Sequence, residues 1–166
     1  MSRLITCMWF ANNDGEEAAN YYIDTFNSAP GDHQAKIGDI TKNPKASEEV
    51  SGRPEGSVMT AEYELDGISF MALNGGPVEQ FKLNGATSYI VECETQEEID
   101  FFWEKLSAVP EAEQCGWCTD KYGVTWQIAP RILDEMMRDP AKADAVMKVF
   151  MPMKKLDLEA IRKAGE

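Results

Sequence analysis

The sequence predicts an α+β fold in which one strand–helix–hairpin module occurs twice, followed by a helical tail. Three observations predict it. An 80-residue offset lays NYYIDTF (Asn20 to Phe26) over DFFWEKL (Asp100 to Leu106), aromatic on aromatic and acid on acid. A 56-residue offset lays DGISFMAL over YGVTWQIA, glycine on glycine. Beyond Pro130 the apolar residues recur at helical rather than alternating spacing.

Each element has its own signal. Residues 4–10 form a short run rich in aromatic and β-branched side chains and read as a strand. Asp14 and Glu17 then make a capping box ahead of a helix whose Ala19, Tyr22, Ile23 and Phe26 fall on one face. Residues 27–56, rich in Pro, Gly, Asp and Lys, read as loop with one strand near 35–40, and they hold the chain's single histidine, His33, as a possible pocket rim residue. From 57 to 65 apolar and polar residues alternate, as in a half-buried strand, and Asp66-Gly67 turns the chain tightly into a return strand at 68–73. The second copy repeats this order: a strand at 88–93, a capping box at Thr95 and Glu98, a helix facing inward through Ile99, Phe102, Trp103 and Leu106, and a hairpin over 115–129 turning at Asp120 to Gly123. In the tail, Asp139-Pro140 starts one helix and Asp157 caps another that stops near Gly165.

Composition narrows the function. The chain of 166 residues suits a single domain, with module one at about 3–77, module two at about 83–130 and the tail at 131–166. A net charge of -13 repels phosphate backbones and anionic membrane surfaces, so neither nucleic acid nor membrane is expected as a partner. No apolar run approaches the roughly 20 residues that cross a bilayer, and MSRLITCMWF lacks a signal peptide's apolar core, so a cytoplasmic location is expected. The four cysteines are too sparse for a disulfide scaffold and read as small buried thiols.

Cys115 and Cys118 form a C-x-x-C pair, the one motif with possible redox or zinc chemistry. If they lie along an extended strand, residues three apart point to opposite faces with Cα atoms ~10 Å apart, beyond disulfide reach. A thioredoxin-like site needs the pair to open a helix, and TDKYGVTW has no helical period. No second thiol pair or paired histidines complete a zinc site.

The segments ITCMWF, GEEAANYY, LNGGP, VECETQEEIDFFWEKL, QCGWCTDKYGVTWQIAP and MKKLDLEAIRKA, with their spacing, resemble the vicinal oxygen chelate superfamily of glyoxalase I, extradiol dioxygenases and bleomycin-resistance proteins, and most closely its PhnB-like branch. The resemblance covers nearly the whole chain. It implies two βαβββ modules with C-terminal helices, a homodimer, and a small-molecule cavity beneath each sheet. Proteins of this branch are often labelled 3-demethylubiquinone 3-methyltransferase. No Gly-rich strand-to-helix turn suited to a nucleotide-like cofactor is present, so that label is not expected to describe the activity.

In metal-bearing members of the superfamily, His, Glu or Gln ligands stand on the first and last strands of each module. Carried onto this sequence, those positions fall on Cys7 or Met8, Met71, Ser88 and Gln127, a set with little charge to hold a divalent ion. The expectation is therefore no metal and no cofactor, with Cys7, Met8, Ser69, Met71, Ser88, Thr125 and Gln127 as ligand-pocket candidates. Catalytic residues stay unassigned. The alternatives are a metal-dependent lyase, isomerase or dioxygenase in which His33 joins Gln127 and Glu62 or Glu64, and a partner-binding scaffold that uses the tail helices.

Overall fold

The computed structural model describes residues 3–166. The chain divides into two compact units, the first running through Ser28 and over Asp32–Leu83, the second over Asn84–Glu166 with the short segment Ala29–Gly31.

The first unit contains β1 (Thr6–Phe10), α1 (Gly15–Ser28), β2 (Ala35–Lys42), α2 (Ala46–Ser51), β3 (Val58–Leu65) and β4 (Ile68–Asn74). Its sheet has the order β1-β4-β3-β2, with β1 parallel to β4 and the other pairs antiparallel. Alternation sorts the side chains. Met8, Phe10, Ala61, Tyr63, Phe70 and Ala72 are buried beneath α1, which contributes Ala18, Ala19, Tyr22 and Phe26 to the same core. Tyr63 and Phe70, opposite one another on β3 and β4, stack with ring centroids 5.2 Å apart. Asn74 fastens helix to sheet: its Oδ1 accepts from the Gly15 amide at 2.9 Å and its Nδ2 donates to the Val58 carbonyl at 3.1 Å. The hairpin turn at Asp66 and Gly67 takes φ values of 47° and 82°, the left-handed pair that this dipeptide anticipates.

Two features of the 27–56 region go beyond the sequence reading. The strand extends to Lys42 and forms the sheet's outer edge, almost wholly exposed, with a register shift between Ile37 and Ile40. The short helix α2 buries no residue, so no apolar period announces it.

After β4, LNGGP threads between two side chains. The Trp9 indole Nε1 donates to the Gly76 carbonyl at 2.7 Å, and a Cβ on Gly75 would lie only 2.1 Å from the Trp9 ring. On the other side the Arg53 side chain lies against Gly76 and donates to Asn13 Oδ1. Both glycines answer a close approach, and Gly76 also has a positive φ of 84°.

The second unit contains β5 (Tyr89–Cys93), α3 (Gln96–Leu106), β6 (Trp117–Thr119), β7 (Thr125–Pro130), α4 (Arg131–Arg138), α5 (Pro140–Phe150) and α6 (Leu158–Ala164). Its sheet is β5-β7-β6, with β5 parallel and β6 antiparallel to β7. The fold is thus mixed α+β, with a four-stranded and a three-stranded sheet. The second copy has one strand fewer than the first because only residues 107–116 separate α3 from β6. That stretch holds a 3-10 turn at Pro110–Ala112 and a tight reversal, leaving no length for a strand and its connections. The capping box forms as its sequence requires: Thr95 Oγ1 accepts from the Glu98 amide at 3.2 Å, and Glu98 accepts in return from the Thr95 amide at 2.9 Å.

The turn at 120–123 is organised by a buried carboxylate. Asp120 is 2% exposed. Its Oδ1 accepts from the Tyr122 and Val124 amides at 2.8 and 3.0 Å, and its Oδ2 from the Trp126 indole at 2.8 Å. One side chain thereby fixes the hairpin's turn and its largest core residue.

The tail folds back onto this unit. Met136, Val146, Leu156 and Ile161 form a core to which Ala129 of β7 also packs. The Cys115 and Gly116 amides donate to the Met153 and Lys154 carbonyls at 2.6 and 2.8 Å. Gln96 holds the next turn at both ends of its amide, donating to the Leu156 carbonyl at 3.2 Å and accepting from the Leu158 amide at 2.8 Å. Asp139 and Asp157 cap α5 and α6 as their sequence positions indicate. Among the described residues no helix is long and apolar enough to cross a membrane.

Removing the Asp120 carboxylate strands the Tyr122 and Val124 amides and the Trp126 indole N–H. Asp120→Ala is expected to lower unfolding free energy by about 3 kcal/mol, and Asp120→Asn by less, in urea denaturation of the full chain. Gly75→Ala is expected to destabilise the first unit by displacing Trp9, seen as a shift in tryptophan emission at equal urea.

Candidate functional site

Each sheet has one face covered by a helix and one facing away from it, and the ladder register determines which residues share the second face. In the first sheet β1 and β4 run parallel with Cys7 opposite Met71, and Glu62 of β3 lies opposite Met71 on the other side. Cys7, Met71 and Glu62 therefore form one row, with Trp9, Leu73 and Thr60 in the next. Ser69 shares this face beside Glu64. Met8 does not: it is 4% exposed on the α1 side, paired with Ala72, because β1 places odd-numbered residues away from the helix.

In the second sheet Ile90, Gln127 and Trp117 form the corresponding row, and Thr119 lies opposite Thr125 in the next. Ser88 immediately precedes β5 and joins the set through a hydrogen bond, Gln127 Nε2 donating to Ser88 Oγ at 2.8 Å. Thr125 is 6% exposed. The structure thus brings Ser88, Thr125 and Gln127 together in one unit, and Cys7, Ser69 and Met71 together in the other. Ile90 and Trp117, which flank Gln127, escaped the sequence reading because the 80-residue offset aligns the helices and not the strands. Register across β5, β7 and β6 was the missing information.

The charged groups on and beside these faces are paired. Glu62 accepts from Arg3 at 2.7 Å, and Glu64 pairs with Lys36 at 3.1 Å. His33 Nδ1 lies 2.7 Å from Asp66 Oδ2, with its ring edge-on to Phe26, so it braces the end of the β3–β4 hairpin. In the second sheet Glu92 is the one charged residue in the three strands, and Arg131 meets it at 3.4 Å while holding Glu94 at 2.8 Å. Among the described residues no three His, Cys, Asp or Glu side chains gather as a metal would require. The groups that meet on these faces are a thiol, a thioether, an amide, hydroxyls and the carboxylates Glu62, Glu64 and Glu92, each already paired with a cation, a set that does not fit a hard divalent ion.

All four cysteines are free thiols. Cys115 corrects the strand reading of the C-x-x-C pair: it has φ 40°, and with Gly116 at 86° it forms the two-residue turn closed by Gln114 and Trp117. The extended-strand argument therefore does not apply to it. Among the described residues no partner activates these thiols. Burial raises Cys7 and Cys115 above the ordinary thiol value, and pushes Cys93 and Cys118 up to about 12, with Glu98 adding to the first and Asp120 then Glu113 to the second.

A family model described as 3-demethylubiquinone-9 3-methyltransferase matches residues 2–129, so α4, α5 and α6 lie beyond the matched stretch. Among solved structures, the PhnB protein from Bacillus cereus is similar at 30% identity, covering 76% of this chain and 98% of its own, with a TM-score of 0.58. Protein PA1353 from Pseudomonas aeruginosa is similar in fold, at 14% identity over 78% of this chain and 98% of its own, with a TM-score of 0.53. No curated protein matches.

The thiols generate a pH prediction. A folded-state value of about 12 against the ordinary 9.0 means that the stability tied to keeping Cys93 and Cys118 protonated is fully present below pH 9 and is lost as pH rises toward 12. Urea midpoints are expected to fall over that window, and less steeply in Cys118→Ala. At pH 8, alkylation followed by mass spectrometry is expected to modify Cys7 and Cys115 in the native protein, and Cys93 and Cys118 only after unfolding.

Proposed function

The chain belongs to the family of the matched model, the PhnB-like branch of the glyoxalase/bleomycin-resistance superfamily, and from that premise we propose that it is a homodimeric protein binding a small, partly apolar molecule on the sheet faces opposite α1 and α3 without a divalent metal. The observation that carries this reading is the donor chemistry of the two ladder rows. Where parallel pairing brings first and last strands together, the paired side chains are Cys7 with Met71 and Ile90 with Gln127. A thioether, an amide and apolar walls orient an organic molecule by shape and a few hydrogen bonds. The one carboxylate in these rows, Glu62, is already paired with Arg3, which leaves little charge to hold a divalent ion.

Methyl transfer, which the family's name carries, receives no support from this architecture. The connection from β1 to α1 is Ala11 to Asp14, without a glycine, and both sheets are built on antiparallel hairpins instead of the open parallel sheet that cradles nucleotide-like cofactors. Assembly as a homodimer is carried over from the resemblance.

Elemental analysis of dialysed, untagged protein is expected to give far less than one equivalent of Zn, Mn, Fe, Ni or Mg, and none of these ions is expected to raise the melting temperature. A near-stoichiometric metal overturns the reading. Titration calorimetry with S-adenosylmethionine is expected to show no binding heat, whereas a saturable isotherm would restore methyl transfer. Fragment screening by NMR is expected to perturb methyl and amide signals of Met71 and Gln127.

A further inference from the structure

We propose that the face of the second sheet recognises a planar, uncharged group that presents a hydrogen-bond donor and an acceptor side by side, such as a lactam or primary carboxamide. The proposal deepens the small-molecule reading and rests on it.

Gln127 is not free to rotate: its Nε2 is committed to Ser88 Oγ at 2.8 Å. That bond uses a lone pair of Ser88 and leaves its hydroxyl hydrogen to donate, while Gln127 Oε1 remains an acceptor. Among the described residues no other partner takes up either atom. The two side chains thus offer one donor and one acceptor adjacent to each other, the complement of an amide edge, which offers an acceptor beside a donor. Thr125 lies on the same face next along β7. It is 94% buried by its 6% exposure, and no described residue hydrogen-bonds its hydroxyl. Its hydroxyl stays available to add a further hydrogen bond to a polar ligand. The Ile90 and Trp117 side chains stand opposite Gln127 on either side, so the polar pair sits between an aliphatic and an aromatic wall that suit a flat ring.

Charge excludes the other ligand classes. An anion finds no cation in β5, β6 or β7, and Arg131 is already engaged by Glu92 and Glu94. A cation finds only Glu92, which Arg131 already holds. A charged group brought here is desolvated without a counter-charge, while a neutral amide exchanges its water hydrogen bonds for equivalent ones.

The test uses full-length protein and three matched probes, 2-pyridone, benzoate and benzylamine, followed by saturation-transfer NMR and by the Gln127 side-chain amide resonances. The expected result is that 2-pyridone binds and shifts those resonances, while benzoate and benzylamine bind at least tenfold more weakly. Gln127→Leu and Ser88→Ala are each expected to weaken 2-pyridone at least tenfold. Should Gln127→Leu fail to fold, Ser88→Ala with an unchanged melting temperature decides. Equal binding of a charged probe, an unaffected Ser88→Ala variant, or no binding of 2-pyridone overturns the proposal. The underlying reading fails separately, if a chemically diverse fragment library finds no site on either sheet face.

Discussion

Parallel pairing of the first strand of each unit to the last strand of its hairpin is the constraint on which the rest depends. A parallel pair cannot be joined by a tight turn, so the chain must cross over one face of the sheet, and it does so as α1 in one unit and α3 in the other. The crossover helix buries every second residue of the strands beneath it. The intervening residues face away from that helix, and at Ala129 the tail core covers them instead. Cys7 and Met71 in one unit, and Ile90 and Gln127 in the other, become neighbours only through this pairing, although each pair is far apart in sequence.

The two units solve the same topological problem with different polar fastenings. In the first, Asn74 at the end of β4 joins the helix start to β3 with a neutral amide. In the second, Asp120 fixes the hairpin turn and the Trp126 indole with a buried carboxylate. The carboxylate carries the larger desolvation cost, which its donors offset, so its removal costs more than the loss of any single hydrogen bond. Pairwise repetition of a fold therefore does not imply repetition of the interactions that hold it.

Much of this was legible in the sequence, because the signals were local. The Asp66-Gly67 turn, the Thr95–Glu98 capping box, and the Asp139 and Asp157 caps each rest on residues close together in the chain, and each appears as read. What escaped was decided by partners at long range or by an absence of burial. Helix α2 buries nothing and so leaves no periodicity. The Cys115–Gly116 turn lacks an Asn or Asp to announce it, and it is held by carbonyls of the tail. Met8 and Cys7 could not be separated from sequence, since a one-residue uncertainty in a strand exchanges its two faces. The faces assigned to Ser69, Met71, Ser88, Thr125 and Gln127 depended on alternation alone, which register across the ladders then made specific.

The strap from Met153 to Leu158 has a consequence for how the polypeptide is made. Everything the first sheet needs has been synthesised by Asn74, so that unit can close while the ribosome is still elongating. The second cannot. Gln96, Cys115 and Gly116 wait for backbone groups of residues 153–158, which leave the exit tunnel only after all three strands of the sheet have been translated. During vectorial synthesis the three-stranded sheet therefore passes through an interval in which its Ala129 end lacks the apolar cover that the tail supplies in the finished fold.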